Sequence, residues 1–166
     1  MLDLVYPRQV VLITTRHDVE DPFSSRKEEK DDIFACDWHM PLSREPKMYA
    51  IAVHKDRFSL SLIQNSKFFC INFVSHRLEK QVIEIEKHNS QHIDKFSKAE
   101  IELEECNTIT CGRLINAVGY FECEVVDEID TGDHVLFIAK VMHITEKDNL
   151  PRLFQKNNDG EFVNFS

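Results

Sequence analysis

Ala117-Val118-Gly119-Tyr120-Phe121-Glu122-Cys123-Glu124-Val125-Val126-Asp127, then the turn Thr131-Gly132-Asp133, then His134-Val135-Leu136-Phe137-Ile138-Ala139-Lys140-Val141-Met142-His143-Ile144-Thr145, is the stretch that decides the fold class. Its first arm alternates with a period of two. Gly119, Phe121, Cys123 and Val125 share one face, and Tyr120, Glu122 and Glu124 the other. That period belongs to a pleated strand. A Gly-containing turn and a β-branched return arm complete a long hairpin, and hence an antiparallel sheet. The return arm is apolar on both sides: Val135, Phe137, Ala139 and Val141 on one, Leu136, Ile138 and Met142 on the other. One small barrel interior buries only one of these faces, so the second needs a covering helix or a partner surface. A homodimer is expected on that ground.

Working outward, Val10–Thr15 is a β-branched apolar run and predicts a buried strand. Asp18 to Asp32 is polar and charge-dense, with Phe23 as its one large apolar group, and predicts a long loop or lid. Ile33–Trp38, Met48–Val53 and Phe68–Phe73 predict further strands, with a proline-bracketed loop from His39 to Lys47. Ser59–Asn65 fits a short helix. Leu78–His88 fits an amphipathic one, with Leu78, Val82 and Ile85 along one face. Gln91 to Thr110 has no clear period, and the tail carries Phe154, Phe162 and Phe165. About six strands and two helices without βαβ alternation predict a single domain over residues 1–166. Its fold class is mainly β with flanking helices, a β-barrel.

Composition narrows the function. The 166 residues carry a formal net charge of −9, which argues against nucleic acid as the main partner. A local basic pocket for a small phosphate would stand out on this background. No apolar run approaches the roughly 18–20 residues needed to cross a bilayer, and the N-terminus has no signal-peptide pattern. The five cysteines, Cys36, Cys70, Cys106, Cys111 and Cys123, include no C-x-x-C and predict reduced, buried thiols in a cytoplasmic protein. Gly112, Gly119, Gly132 and Gly160 are the only glycines, so neither G-x-G-x-x-G nor a Walker A loop is present.

Four segments could carry chemistry. Lys55, Arg57 and Ser59 precede or open a predicted helix, where free N–H groups attract phosphate. Ser59 could equally be a plain N-cap, and an ordinary capped helix with two surface bases is the commoner case. Ala35-Cys36-Asp37-Trp38-His39-Met40-Pro41-Leu42-Ser43 runs from a strand into a proline loop and holds the only Trp. A planar ring beside backbone donors suits a flat heterocycle, although a core Trp at a strand end is as common. His134 in the hairpin turn is either an exposed His or one facing a ligand. His88 and His92, with Glu84, have zinc-like spacing, but Asn89-Ser90 reads as a helix end and no fourth ligand offers itself, so no metal is expected. No Ser-His-Asp order or G-x-S-x-G elbow points to hydrolysis.

Taken in order, these segments resemble the flavin-reductase-like family, whose members bind FMN on a split β-barrel, and within it the flavoredoxins. Tyr6-Pro7-Arg8 with Val10–Thr15 resembles its opening strand, and Ala35-Cys36-Asp37-Trp38…Pro41…Ser43…Pro46 its "A-S-W-x-x-P-x-S-x-x-P" stretch. Arg57-Phe58-Ser59 resembles its "R-x-T" turn, Phe68 to Asn72 its "F-x-x-N" strand, and Asp94-Lys95-Phe96 its "D-K-F" element. Thr131-Gly132-Asp133-His134, with Phe137 and Val141, resembles the closing "G-D-H-x-x-F-x-G-x-V".

The resemblance implies a Greek-key barrel, a homodimer with FMN near its interface, and hydride or electron transfer through FMN from NADH or NADPH. It implies Trp38 beside the isoalloxazine, and backbone contacts to the ring from the loop through Ser43, with Cys36, Asp37, His39 and Met40 among the binding residues. Arg57 and Ser59 would hold the phosphate, Lys95 and His134 would lie at the ring or ribityl side, and Phe162 or Phe165 would cover the pocket. No side chain is assigned as catalytic, because the hydride step belongs to the cofactor. The alternatives are a flavoredoxin-type electron carrier with a protein partner, and a flavin-free binding module. The chain departs from the family pattern at Cys36 and Asp37, at Ser59 in place of Thr, at Ala139 in place of Gly, and at Asp32, where an Asn often stands and where a carboxylate would repel a phosphate.

Overall fold

The computed structural model describes residues 2–20, 27–88 and 93–164. In chain order the strands and helices are β1 (Arg8–Gln9), β2 (Val11–Glu20), β3 (Lys27–Cys36), β4 (His39–Arg44), β5 (Lys47–His54), α1 (Ser59–Ser66), β6 (Phe68–Phe73), α2 (Glu79–Glu86), α3 (Lys95–Lys98), β7 (Leu103–Glu105), β8 (Gly112–Leu114), β9 (Gly119–Asp130), β10 (His134–Glu146), β11 (Leu153–Gln155) and β12 (Phe162–Asn164). Among the described residues the main sheet has seven strands in the order β3-β2-β6-β9-β10-β5-β4, with smaller sheets β1-β11-β12 and β7-β8. The strands β5 and β6 are consecutive in the chain yet separated in the sheet by β9 and β10, which is an over-and-back Greek-key connection. The two edge strands, β3 and β4, are joined by Asp37 and Trp38 alone, and Ala52 N donates to Trp38 O at 2.8 Å across that corner. That corner draws the sheet into the split barrel.

Period two sorts the strand residues into two cores. Val11 and Ile13 of β2, Phe69 and Ile71 of β6, and Phe137 and Ala139 of β10 pack inside with Ile63 of α1. The opposite face, with Val10, Leu12, Cys70 and Tyr120, is covered by Val82 and Ile85 of α2, by Cys111 and Leu114 around β8, and by Leu153. So the alternation in β9 does not leave its polar side wet. Tyr120 and Glu122 are buried, and the Glu122 carboxylate accepts from Asn107 N (2.8 Å), Thr108 N (2.7 Å), Thr108 Oγ1 (2.7 Å) and Arg113 Nη1 (3.1 Å). A buried carboxylate is tolerable only with such donors.

Three sequence expectations are corrected. The segment from Asp18 to Asp32 is not a loop over its described part. The ladder between β2 and β3 runs from Val11↔Cys36 to Glu20↔Lys27. Its charges are cross-strand partners: Arg16 Nη2 meets Asp31 Oδ2 at 2.9 Å and, beyond the strand pair, Glu105 Oε1 at 2.7 Å. Residues 21–26, including Phe23, lie outside the described residues. The stretch from His39 to Lys47 is a hairpin rather than a loop. Pro41 is tolerated because β4 is an edge strand with a register shift between Pro41 and Ser43. The N-cap of α1 is Phe58, without a side-chain capping bond, and Ser59 is the first helical residue. Among the described residues no helix is long and apolar enough to cross a membrane.

Candidate functional site

Where β3, β5 and β10 end together, a cleft of about 410 Å³ opens between Phe34, Trp38, His54, Arg57, Glu86 and His134. Its size falls within the range of small-molecule pockets. The barrel's register builds it. His134 opens β10 directly opposite His54 at the end of β5, and the β3–β4 corner brings Trp38 over the same rim. The indole stacks on the His134 imidazole, centroids 4.5 Å apart and 11° from parallel. The His54 ring meets His134 edge-on at 4.9 Å. His134 Nδ1 pairs with Asp133 Oδ1 at 2.7 Å, and that bond holds the Asp133 carboxyl below the usual carboxylate range.

The cleft carries one guanidinium, Arg57, and three carboxylates, Asp37, Asp56 and Glu86. The Arg57 guanidinium lies 5.9 Å from the Phe34 ring centroid. Asp37 Oδ2 is buried with no hydrogen-bond partner of its own, although the Asp37 carboxylate lies near the Tyr6 hydroxyl and helps, after burial, to raise its pKa. A buried carboxylate oxygen left this way costs on the order of 1–3 kcal/mol or more, so it marks a place where a ligand donor would be favourable. Trp38 also walls a second hollow with Arg8, Met40, Pro41, Tyr49 and Leu136. There the Arg8 guanidinium sits 5.2 Å from the indole.

Of the residues singled out from sequence, Cys36, Asp37, Trp38, Arg57 and His134 come together at the cleft. The others do not line it. His39 is spent on structure: Nδ1 pairs with Tyr49 Oη (2.7 Å), Nε2 with Gln9 O (2.8 Å), and burial pushes its pKa down. Met40 belongs to the second hollow, and Ser43 lies beyond the bulge on β4. Phe162 packs against the outer core from β12, and Phe165 is outside the described residues. Cys36 is buried, its thiol pushed up to about 12 by burial and by Asp37. It is therefore an inert wall.

Ser59 and Lys95 meet at one acceptor, Asp32. Ser59 Oγ donates to Asp32 Oδ2 at 2.7 Å; Lys95 Nζ donates to Asp32 Oδ1 at 2.7 Å and to Ile33 O at 2.9 Å. The Lys95 side chain is 3% exposed. Lys55 pairs with Asp130 at 2.6 Å. Lys55 and Ser59, expected at the phosphate, and Lys95, expected at the ring or ribityl side, are thus engaged internally, and the Arg57 guanidinium lines the cleft. His88 accompanies Glu84 on α2 at 3.1 Å, and His92 is outside the described residues. Among the described residues no cluster of three or more His, Cys, Asp or Glu is arranged to hold a metal ion. Sequence reasoning missed His54, Glu86 and Arg8. His54 lies within the segment from Val53 to Ser61 that holds Lys55, Arg57 and Ser59, but only the β5–β10 register brings it to His134.

The model of the flavin reductase like domain matches residues 2–161. The chain belongs to that family. The reductase subunit HsaB of a flavin-dependent monooxygenase from Rhodococcus jostii is 27% identical over 124 residues, which are 74% of this chain and 60% of that protein. Two solved structures share the fold. Flavoredoxin from Methanosarcina acetivorans has a TM-score of 0.82 at 16% identity, covering 98% of this chain and 87% of that one. An FMN-binding protein from Thermus thermophilus has a TM-score of 0.80 at 19% identity, covering 96% and 86%. The split barrel read from sequence is the fold of this chain, and the family resemblance is membership.

Proposed function

We propose that this protein binds FMN in the cleft at Trp38, His134 and Arg57 and acts as an NAD(P)H-dependent flavin oxidoreductase. The observation that carries the reading is the convergence of planar rings, the Arg57 guanidinium and an unpartnered carboxylate oxygen on one cleft of ligand size. The residues fit the cofactor unevenly. Stacked rings and Asp37 Oδ2 suit the flat, N–H-bearing isoalloxazine. Arg57 suits the phosphate, whereas Ser59 and Lys95 are held by Asp32. With His134 stacked on Trp38 and the Arg8 guanidinium over the same ring at 5.2 Å, the indole would offer its edge to the flavin.

Bound FMN supplies a hydride acceptor whose chemistry is its own. The chain's part is to orient the ring, exclude water with Phe34 and Trp38, and place Arg57 and the paired His134 where negative charge gathers on reduction. A homodimer accompanies this reading. By register Met40, Ala50 and Ile138 share one outer row of the sheet, and Ala52, Leu136 and Ile129 the next. Met40 is 55% exposed and Ile129 43%, an apolar face that a second copy would cover. It adjoins the hollow at Trp38, so the flavin would sit near the interface.

Anaerobic addition of NADH and NADPH to the FMN-loaded protein tests the function. Bleaching of the flavin absorbance by either supports the reductase. A flavin that stays oxidised with both, yet bleaches with dithionite, replaces it with an electron carrier served by a protein partner. A protein that takes up no flavin refutes both.

A further inference from the structure

The hairpin of β7 and β8 carries a group that the flavin cleft does not use. Its register is Leu103↔Leu114, Glu104↔Arg113 and Glu105↔Gly112. The next opposed pair is Cys106 and Cys111, and Cys106 N donates to Cys111 O at 3.0 Å. Hydrogen-bonded residues facing each other in an antiparallel pair have Cα atoms about 5.5 Å apart. That lies inside the window of roughly 4.4–6.8 Å that a disulfide spans. The Cys106 sulfur is near enough to those of Cys111 and Cys70 to feel both, while Cys111 Sγ donates to Gly112 O at 3.2 Å and Cys70 Sγ to Asn72 Oδ1 at 3.9 Å. Cys70 and Cys111 are wholly buried, whereas Cys106 is only half-buried. Cys106 is therefore the most accessible of the three residues.

The surroundings hold this arrangement still. Gly112 N donates to Asp31 Oδ1 (2.9 Å), Thr14 Oγ1 to Gly112 O (2.6 Å), and Leu114 N to Asn72 Oδ1 (2.8 Å). Glu122 gathers the backbone N–H groups of Asn107 and Thr108 between the two cysteines. The electrostatics separate the sulfurs into unlike roles. The neighbouring Cys111 and Cys70 thiols, helped by Arg113, bring the Cys106 thiol down to about 5 against burial and Glu122. Cys70 moves up chiefly through burial, and Cys111 through the nearby Cys106 sulfur and burial. A low-pKa, accessible thiolate beside a buried thiol is the arrangement of an attacking and a resolving cysteine.

We propose that Cys106 and Cys111 form a reversible dithiol–disulfide couple, oxidised by hydroperoxide through Cys106 and returned by a small dithiol. The Cys106 thiolate attacks one peroxide oxygen. The O–O bond breaks, a Cys106 Sγ–OH forms, and hydroxide departs and takes the Cys111 proton as water. The Cys111 sulfur then attacks Cys106 Sγ. The S–O bond breaks, the second hydroxide leaves with a proton as water, and the S–S bond closes. Two thiols give up two electrons and the peroxide takes them. Nothing in this depends on flavin.

The test uses the reduced, full-length chain treated with equimolar hydrogen peroxide, quenched by alkylation and mapped by mass spectrometry. A Cys106–Cys111 link is expected, with titratable thiols falling from five to three and returning with dithiothreitol. Cys111→Ala should stop the reaction at a sulfenic acid on Cys106 that dimedone traps. Cys106→Ser should leave the remaining thiols unreacted on the same timescale, with an unchanged far-ultraviolet circular dichroism spectrum showing that it folds. Alkylation of Cys106 by iodoacetamide should inflect well below the roughly 8.5 of a free thiol. A link from Cys106 to Cys70, irreversible oxidation without any link, or a Cys106 that titrates as a free thiol overturns the proposal.

Discussion

Asp32 is the residue whose removal is most informative. Its carboxylate is 13% exposed and, among the described residues, is the anionic partner of the Lys95 ammonium, which is 3% exposed and also bonded to the Ile33 carbonyl. Asp32→Ala leaves that charge buried with a neutral acceptor and also removes the acceptor of Ser59 Oγ. Breaking a buried pair from one side costs about 3–5 kcal/mol. For a chain of this length each kcal/mol moves Tm by roughly 2–4 °C, so a fall of about 6–20 °C is expected. Lys95→Met in the Asp32→Ala background should recover most of the loss, since replacing the whole pair by apolar groups is often neutral. Urea denaturation of the two single variants and the double variant gives the coupling between the sites. A coupling under about 1 kcal/mol would refute the buried pair. The milder Asp32→Asn keeps an acceptor for Lys95 and removes the negative charge. If Asp32 competes with the flavin phosphate for Ser59 and Lys95, Asp32→Asn should tighten FMN binding and leave riboflavin binding unchanged. Equal effects on both flavins would show that the phosphate lies elsewhere.

Other outcomes follow from the same geometry. Arg57→Ala should weaken FMN by about 1.5–3 kcal/mol and riboflavin much less, measured by flavin fluorescence titration, because the lost bond is charge-assisted. Light scattering at micromolar concentration should give a dimer, and Met40→Glu, which puts charge on the exposed outer face, should shift it toward monomer. Glu122→Gln should cost about 3 kcal/mol at neutral pH, as it replaces a buried, four-fold bonded carboxylate. Burial raises the Glu122 pKa, but the bonds from Asn107 and Thr108 outweigh it and hold it below the usual carboxylate range. A depressed folded pKa means stability present above the unfolded value, near 4.3, and lost as pH falls through the folded value. The gap between wild type and Glu122→Gln in urea denaturation should therefore close below about pH 4 and stay constant from pH 6 to 8.

What could be read in advance was what repeats locally. The two-residue period from Gly119 to Val125 and the Thr131-Gly132-Asp133 turn specify a hairpin with no outside information, and it forms with partners such as Val135↔Asp130. The charged run from Asp18 reads as a solvated loop because its charge density is high. Arg16 instead finds Asp31 across the ladder and Glu105 from a distant strand, and no local window shows that complementarity. Glu122 alternates like a wet residue, yet it is buried by a segment without a clear period. At the cleft, Trp38, Arg57 and His134 were legible as residue types at motif spacing. That Asp32 holds Ser59 and Lys95, and that His39 is bonded to Tyr49 and Gln9, depends on strand register.

Trp38 is the only tryptophan, so its emission reports on one place. Titrating FMN into the flavin-free protein, with inner-filter absorption corrected, tests directly whether the flavin occupies the cleft between Trp38, His134 and Arg57. The account predicts saturable quenching of the indole in step with FMN loading, reversed when the flavin is removed and weakened by Arg57→Ala. Full FMN loading with the Trp38 emission unchanged would contradict it.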